Sequence, residues 1–69
     1  MDPLTGQQRA ILDLEARWFA TTGGKEQAIQ QIGLTPVRYY QLLNRLIDSE
    51  AALLYNATVV NRLRRVSGR

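Results

Sequence analysis

One run of side chains has the types and the spacing needed to contact the edges of nucleic-acid bases. Its members are adjacent or one helical turn apart, which on a helix places them together on one side. They are Val37, Arg38, Gln41, Asn44 and Arg45. Gln and Asn amides can pair with adenine, an Arg guanidinium with guanine, and Val can contact the methyl group of thymine. The run therefore predicts base contacts in the major groove of double-stranded DNA. The alternative is an ordinary solvated helix face on which these side chains are incidental.

A second set of side chains has the chemistry to bind the phosphates of a DNA backbone. The formal net charge is +3, and residues 51–69 contain four arginines and no acid. Cationic side chains and hydroxyl groups are common donors to phosphate oxygens. We expect this role for Lys25, Thr35, Tyr40, Arg62, Arg64, Arg65 and Arg69. Charge alone leaves a second interpretation open, in which the C-terminal arginines only increase solubility.

The composition excludes several kinds of chemistry. The chain has no cysteine and no histidine, so it cannot form a thiolate nucleophile, an imidazole base or a zinc site built from Cys and His. No apolar stretch is long enough to span a bilayer. We therefore expect no enzymatic activity, no metal, no cofactor, no small-molecule substrate and no membrane insertion.

Glu15 is the acidic residue in the most unusual position. On a helical wheel it lies about 40° from Ile11, inside an apolar stripe, and a buried carboxylate needs a cation or hydrogen-bond donors beside it. We expect an ion pair with Arg38 or Arg45. An Arg38 held in this way would be less available to DNA. A catalytic role would need a second acid or a base nearby, which the sequence does not suggest.

These side chains must be positioned by helices, because no segment shows the alternation of a strand. The first helix is predicted over about 6–21, since Thr5 and Gln8 have the form of a capping box and the pair Gly23 and Gly24 would end it. Large aromatic residues at helical spacing are more often core than stacking platform. We expect the core to include Trp18, Phe19 and Tyr39.

The middle of the chain predicts two helices joined by a sharp turn. The second helix should cover about 25–32, with Gly33 making the turn. Thr35 is a suitable N-cap and Pro36 fits the first helical position, so the third helix should start there and end near Asp48. Its core face is predicted from Tyr39, Leu42, Leu43, Leu46 and Ile47.

The last helix is predicted over about 57–66, with Asn56 as its N-cap. Residues 51–55 should form a short connection before it, with at most a helical turn. The apolar stripe of this helix consists of Val59, Val60, Leu63 and Val66.

Together these elements predict an all-α domain over residues 1–69. We expect a trihelical, homeodomain-like core in which residues 25–48 form a helix-turn-helix unit, with an additional basic C-terminal helix.

Four segments in order along the chain also resemble a known family. They are residues 10–18, 24–29, 38–44 and 62–65, which read AILDLEARW, GKEQAI, RYYQLLN and RLRR. They are similar to segments of a family of short, largely uncharacterised actinobacterial proteins, with some relatives in phages of those bacteria. The family is usually grouped with helix-turn-helix proteins, and the resemblance implies DNA binding and transcriptional control. It implies no catalytic activity.

The expected function is sequence-selective binding of double-stranded DNA by a small transcriptional regulator. We expect the third helix in the major groove, and a homodimer or a partner from the transcription machinery to add affinity. The first residues lack the basic and apolar regions of a signal peptide, so the expected location is the cytoplasm, at the nucleoid.

Three other functions remain open from the sequence. The main alternative is a protein-interaction module, an inhibitor or adaptor of the transcription machinery that uses the same fold. RNA binding by the arginine-rich helix ranks lower, because residues 56–69 have no aromatic residues among their arginines. Membrane docking by that helix ranks lowest, because its apolar face is needed to cover the core.

Overall fold

The structure is a computed structural model that describes residues 3–66, and every regular element in that range is a helix. The all-α expectation is confirmed for this part of the chain. The helices are α1 (Gly6–Ala16), α2 (Thr22–Gln31), α3 (Pro36–Leu46), α4 (Glu50–Tyr55) and α5 (Ala57–Val66). None of these five helices has the length and apolar character needed to cross a membrane.

Helix α1 begins with the expected capping box. The Thr5 hydroxyl accepts the backbone N–H of Gln8 at 3.1 Å, and the Gln8 side chain accepts the N–H of Thr5 at 2.8 Å. The helix ends at Ala16, so the prediction that it reaches Thr21 is wrong. The backbone is already extended at Arg17, with φ −85° and ψ 148°.

The early end of α1 follows from a competing start signal. Thr21 is the N-cap of α2, and its hydroxyl accepts the backbone N–H of Gly24 at 3.0 Å. The expectation that Gly23 and Gly24 stop the first helix, and that the second begins at Lys25, is therefore wrong. Both glycines lie in the first turn of α2, where the backbone N–H groups have no partner within the helix and a capping hydroxyl stabilises them.

The turn between α2 and α3 has the expected form. Gly33 has φ +83°, which is costly for residues with a Cβ atom. Thr35 accepts the backbone N–H of Arg38 at 3.2 Å, and Pro36 is the first residue of α3. The helix ends at Leu46, two residues before the expected position.

The core lies where α3 packs against its neighbours. Helix α1 contacts α3 and α5, α2 contacts α3, and α4 contacts α5. The largest fully buried side chains are Tyr39, Ile11, Leu12, Ile29, Ile47 and Val60. Helix α4, expected as a connection, is a six-residue helix capped by Ser49, and it buries Ala52.

Two apolar side chains lie outside the core against expectation. Trp18 is 85% exposed and Val66 is 81% exposed. The helical period that aligned Trp18 with Ile11 stops at Ala16, so the indole no longer faces inward. Phe19 is partly buried against the core, and Tyr39 is completely buried, as expected.

Candidate functional site

The candidate site is the outward face of α3. The helix buries Tyr39, Leu43 and Leu46, so its opposite side meets solvent. The exposed residues there are Val37, Arg38, Gln41, Asn44 and Arg45, the five predicted to contact bases. Val37 is 71% exposed although it is apolar. The structure thus places these five side chains on one accessible surface, which we call the α3 face.

Two arginines give the α3 face its charge. Arg38 and Arg45 are exposed, and within residues 3–66 neither guanidinium has an ion pair or a hydrogen bond. Arg45 also borders a cleft of about 340 Å³ that includes Gln7 and Gln8 of α1. Their position near the site could not be predicted from the sequence, because only the crossing of α1 and α3 brings these glutamines there.

Glu15 does not pair with either arginine of the α3 face, so that prediction is wrong. Its carboxylate accepts a hydrogen bond from the Tyr39 hydroxyl and lies 2.8 Å from the Lys25 ammonium. The physical reason is the rotation of α3 about its own axis, which points Tyr39 into the core and both arginines toward solvent. Arg38 is therefore not held by Glu15.

Lys25, predicted as a phosphate contact, is the cation that compensates the buried carboxylate. Its side chain is 27% exposed, and its ammonium lies 5.5 Å from the centre of the Tyr40 ring. Burial lowers the pKa of Lys25, but the hydrogen bond and negative charge of Glu15, together with Tyr40, outweigh this and raise it above 10.5. Its positive charge is largely balanced within the protein.

Tyr39 is the second donor to Glu15. Burial, the hydrogen bond to Glu15 and the negative charge of that carboxylate all raise the pKa of Tyr39 above its usual value of 10.0. The neutral phenol is the form that can donate to the carboxylate.

The arginines of α5 divide into two kinds. Arg62 donates to the backbone oxygen of Glu15 at 2.7 Å, and Arg64 donates to that of Ile47 at 2.6 Å. These oxygens lie at the C-terminal ends of α1 and α3, where unpaired carbonyls attract positive charge. Arg65 is exposed. Arg69 lies outside the described residues.

The remaining predicted phosphate contacts lie near the start of α3. Thr35 is exposed and uses its oxygen to cap the helix. Tyr40 is 45% exposed, and its ring meets that of Tyr39 edge-on at 5.1 Å between centres. Both residues carry a hydroxyl group that can donate to an anion.

A second cleft separates α3 from α5. It encloses about 340 Å³, and its lining includes Glu15, Lys25, Tyr40 and Asn44. Apolar side chains close its other side, among them Leu63. Among the described residues no cluster of three or more His, Cys, Asp or Glu residues could hold a metal ion.

The fold and the site define a small all-helical protein with a cationic, amide-bearing face on one helix. A family model described as a protein of unknown function, DUF3263, matches residues 3–69, and the chain belongs to this family. No curated protein and no solved structure matches the chain.

Proposed function

We propose that the protein binds double-stranded DNA with sequence selectivity and acts as a small transcriptional regulator. In this proposal α2, the Gly33 turn and α3 form a helix-turn-helix, and α1 braces it in a trihelical, homeodomain-like arrangement. Helix α3 is the recognition helix and enters the major groove.

The observation that carries the proposal is the composition of the α3 face. Arg38 and Arg45 are exposed and free of ion pairs within residues 3–66, and Gln41 and Asn44 lie on the same surface. Arginine forks and side-chain amides are the groups that distinguish base pairs in the major groove. An α-helix with its side chains is about 10–12 Å across, which suits a major groove about 12 Å wide.

Fewer residues are assigned phosphate contacts than the sequence predicted. We assign them to Thr35, Tyr40 and Arg65, which are exposed around the α3 face and on α5. Lys25, Arg62 and Arg64 hold helices together, so in this proposal we assign them no phosphate contact.

One domain of this size covers only about 600–1,000 Å² of a DNA site. Binding by a single copy is therefore expected to be weak and strongly dependent on salt. A second copy or a protein of the transcription machinery would supply the remaining affinity. The proposed location is the nucleoid in the cytoplasm.

The test is selection of bound fragments from a random duplex library, followed by titration of the selected site. Arg45→Ala should weaken binding to that site by about 1–3 kcal/mol and relax the preference at one base pair. Arg45→Lys is the matched control, because it keeps the charge and loses the two-pronged fork. It should lose base preference while keeping affinity for random DNA. Failure to enrich any sequence would overturn the proposal.

The second candidate is a protein-interaction module, and exposed Trp18 favours it. Tryptophan is enriched at the centres of protein interfaces, and this one is 85% exposed. A protein partner from the transcription machinery would bury it, whereas DNA binding through the α3 face does not require it. Trp18→Ala should therefore abolish capture of such a partner and leave duplex binding unchanged.

A further inference from the structure

Four helices meet at Glu15. Its carboxylate takes a hydrogen bond from Tyr39 of α3 and an ion pair from Lys25 of α2, and its backbone oxygen takes a hydrogen bond from Arg62 of α5. The Glu15 side chain is 5% exposed, so water does little to weaken these interactions. These polar contacts link α3 to α1 and α2 through this one residue of α1.

Stability alone is a weak reason for the cluster of Glu15, Lys25 and Tyr39, which we call the Glu15 cluster. Removing a carboxylate from water is costly, and apolar side chains of similar volume often stabilise a core equally well. Polar interactions are directional and apolar packing is not, because a hydrogen bond restricts both the distance and the angle between its two groups. The cluster therefore restricts how α3 can rotate and slide, which leucine-like packing does less strictly.

The cluster also reaches the outer surface of α3. The ammonium of Lys25 lies 6.0 Å from the centre of the Tyr39 ring and 5.5 Å from that of the Tyr40 ring. The two rings meet nearly at right angles, at 87°. Tyr39 is buried and Tyr40 is 45% exposed, so Lys25 spans the border between the core and the exposed side of α3 that carries Tyr40.

We propose that Glu15, Lys25 and Tyr39 are positioning residues that set the orientation of α3 for base recognition. This inference rests on the proposed function, because it assigns the cluster a role in selectivity. The cluster itself does not touch DNA. Sequence selectivity depends on it because base contacts tolerate little displacement of the helix that makes them.

The test replaces the cluster by apolar groups in Glu15→Leu/Lys25→Met/Tyr39→Phe. The melting temperature should stay within about 5 °C of that of the natural protein or rise. The ratio of affinities for the selected and a scrambled duplex should fall about tenfold, the size expected when base contacts are lost. Affinity for the scrambled duplex and its salt dependence should not change, because the phosphate contacts remain.

Two controls separate positioning from general damage. Tyr55→Phe removes an exposed hydrogen bond to Asp13, of 2.9 Å, and should leave selectivity intact. Should the triple variant fail to fold, Glu15→Gln/Lys25→Met removes the ion pair while keeping an acceptor for Tyr39. The same fall in selectivity is expected for it.

A DNA-free readout keeps this inference distinct from the proposed function. Residual dipolar couplings of α3 relative to α1 should show a changed or averaged orientation in the folded variant. Unchanged couplings, or full selectivity in a folded variant, would overturn the positioning role. If the natural protein itself shows no sequence selectivity, the proposed DNA recognition is wrong. The couplings would still test whether the cluster orients α3.

Discussion

Trp18 is the single tryptophan of the chain, and its indole lies in solvent between α1 and α2. We predict that Trp18→Ala changes the free energy of unfolding by less than about 0.5 kcal/mol, as for other surface substitutions. Urea denaturation followed by circular dichroism measures this. Ile29→Ala is the control, because Ile29 is completely buried and should lose about 2–5 kcal/mol. A loss of that size for Trp18→Ala would place the indole in the core.

The raised pKa values of Lys25 and Tyr39 in the Glu15 cluster predict that the protein loses stability in alkaline solution. The pKa of Lys25 and that of Tyr39 are both raised in the folded protein, so the unfolded chain releases these protons first as pH rises above about 10. Stability is therefore fully present below that pH and falls above it.

The measurement is the melting temperature between about pH 8 and pH 11.5. The natural protein should lose stability over the upper part of this range. Tyr39→Phe and Lys25→Met should each reduce the slope, since each removes one titrating group. Parallel slopes for the three proteins would show that these groups do not titrate as proposed.

Among the helices and their turns, one glycine is required for its backbone conformation and another is not. Gly33 has φ +83°, and a Cβ atom there would meet no other atom within 4 Å, so its requirement is conformational. We predict that Gly33→Ala lowers stability by about 1–2 kcal/mol. Gly23 lies in the first turn of α2 with equal space around it. Gly23→Ala should raise stability by about 0.4–1 kcal/mol. Denaturation curves of both variants test this, and a loss for Gly23→Ala would contradict its helical position.

The helix boundaries show where local sequence is sufficient. Thr35 and Pro36 define the start of α3 because cap and first-turn residues act within a few positions of each other. The end of α1 was harder to predict, since Thr21 competes with the helical period that runs through Trp18. Nothing between Ala16 and Thr21 marks a stop by residue type alone.

The site could be predicted in part for the same reason. The outward position of Arg38 and Arg45 follows from the inward position of the α3 leucines and Tyr39, which is a local pattern. The partner of Glu15 depends on how α1, α2 and α3 cross. Lys25, Arg38 and Arg45 all have the charge needed to pair with its carboxylate. Choosing Lys25 among them required the packing of the whole domain.

At the scale of the molecule, the positive charge of α5 divides between structure and surface. Arg64 donates to a backbone oxygen in a partly buried position, whereas Arg65 is exposed. We predict that Arg64→Ala lowers stability by about 1.5–3 kcal/mol, as for a charged hydrogen bond. Arg65→Ala should leave stability unchanged and reduce the salt dependence of DNA binding by about one unit. Equal effects of the two changes on both measurements would contradict this division.

Backbone NMR during titration with a selected duplex tests whether the α3 face is the surface that binds DNA. We expect the largest shifts at Val37, Arg38, Gln41, Asn44 and Arg45, with weaker shifts near Thr35 and Arg65. Leu54, which is 80% exposed on α4, should not shift. Shifts confined to Trp18 or to α4, or no shifts at saturating duplex, would contradict DNA binding by the α3 face.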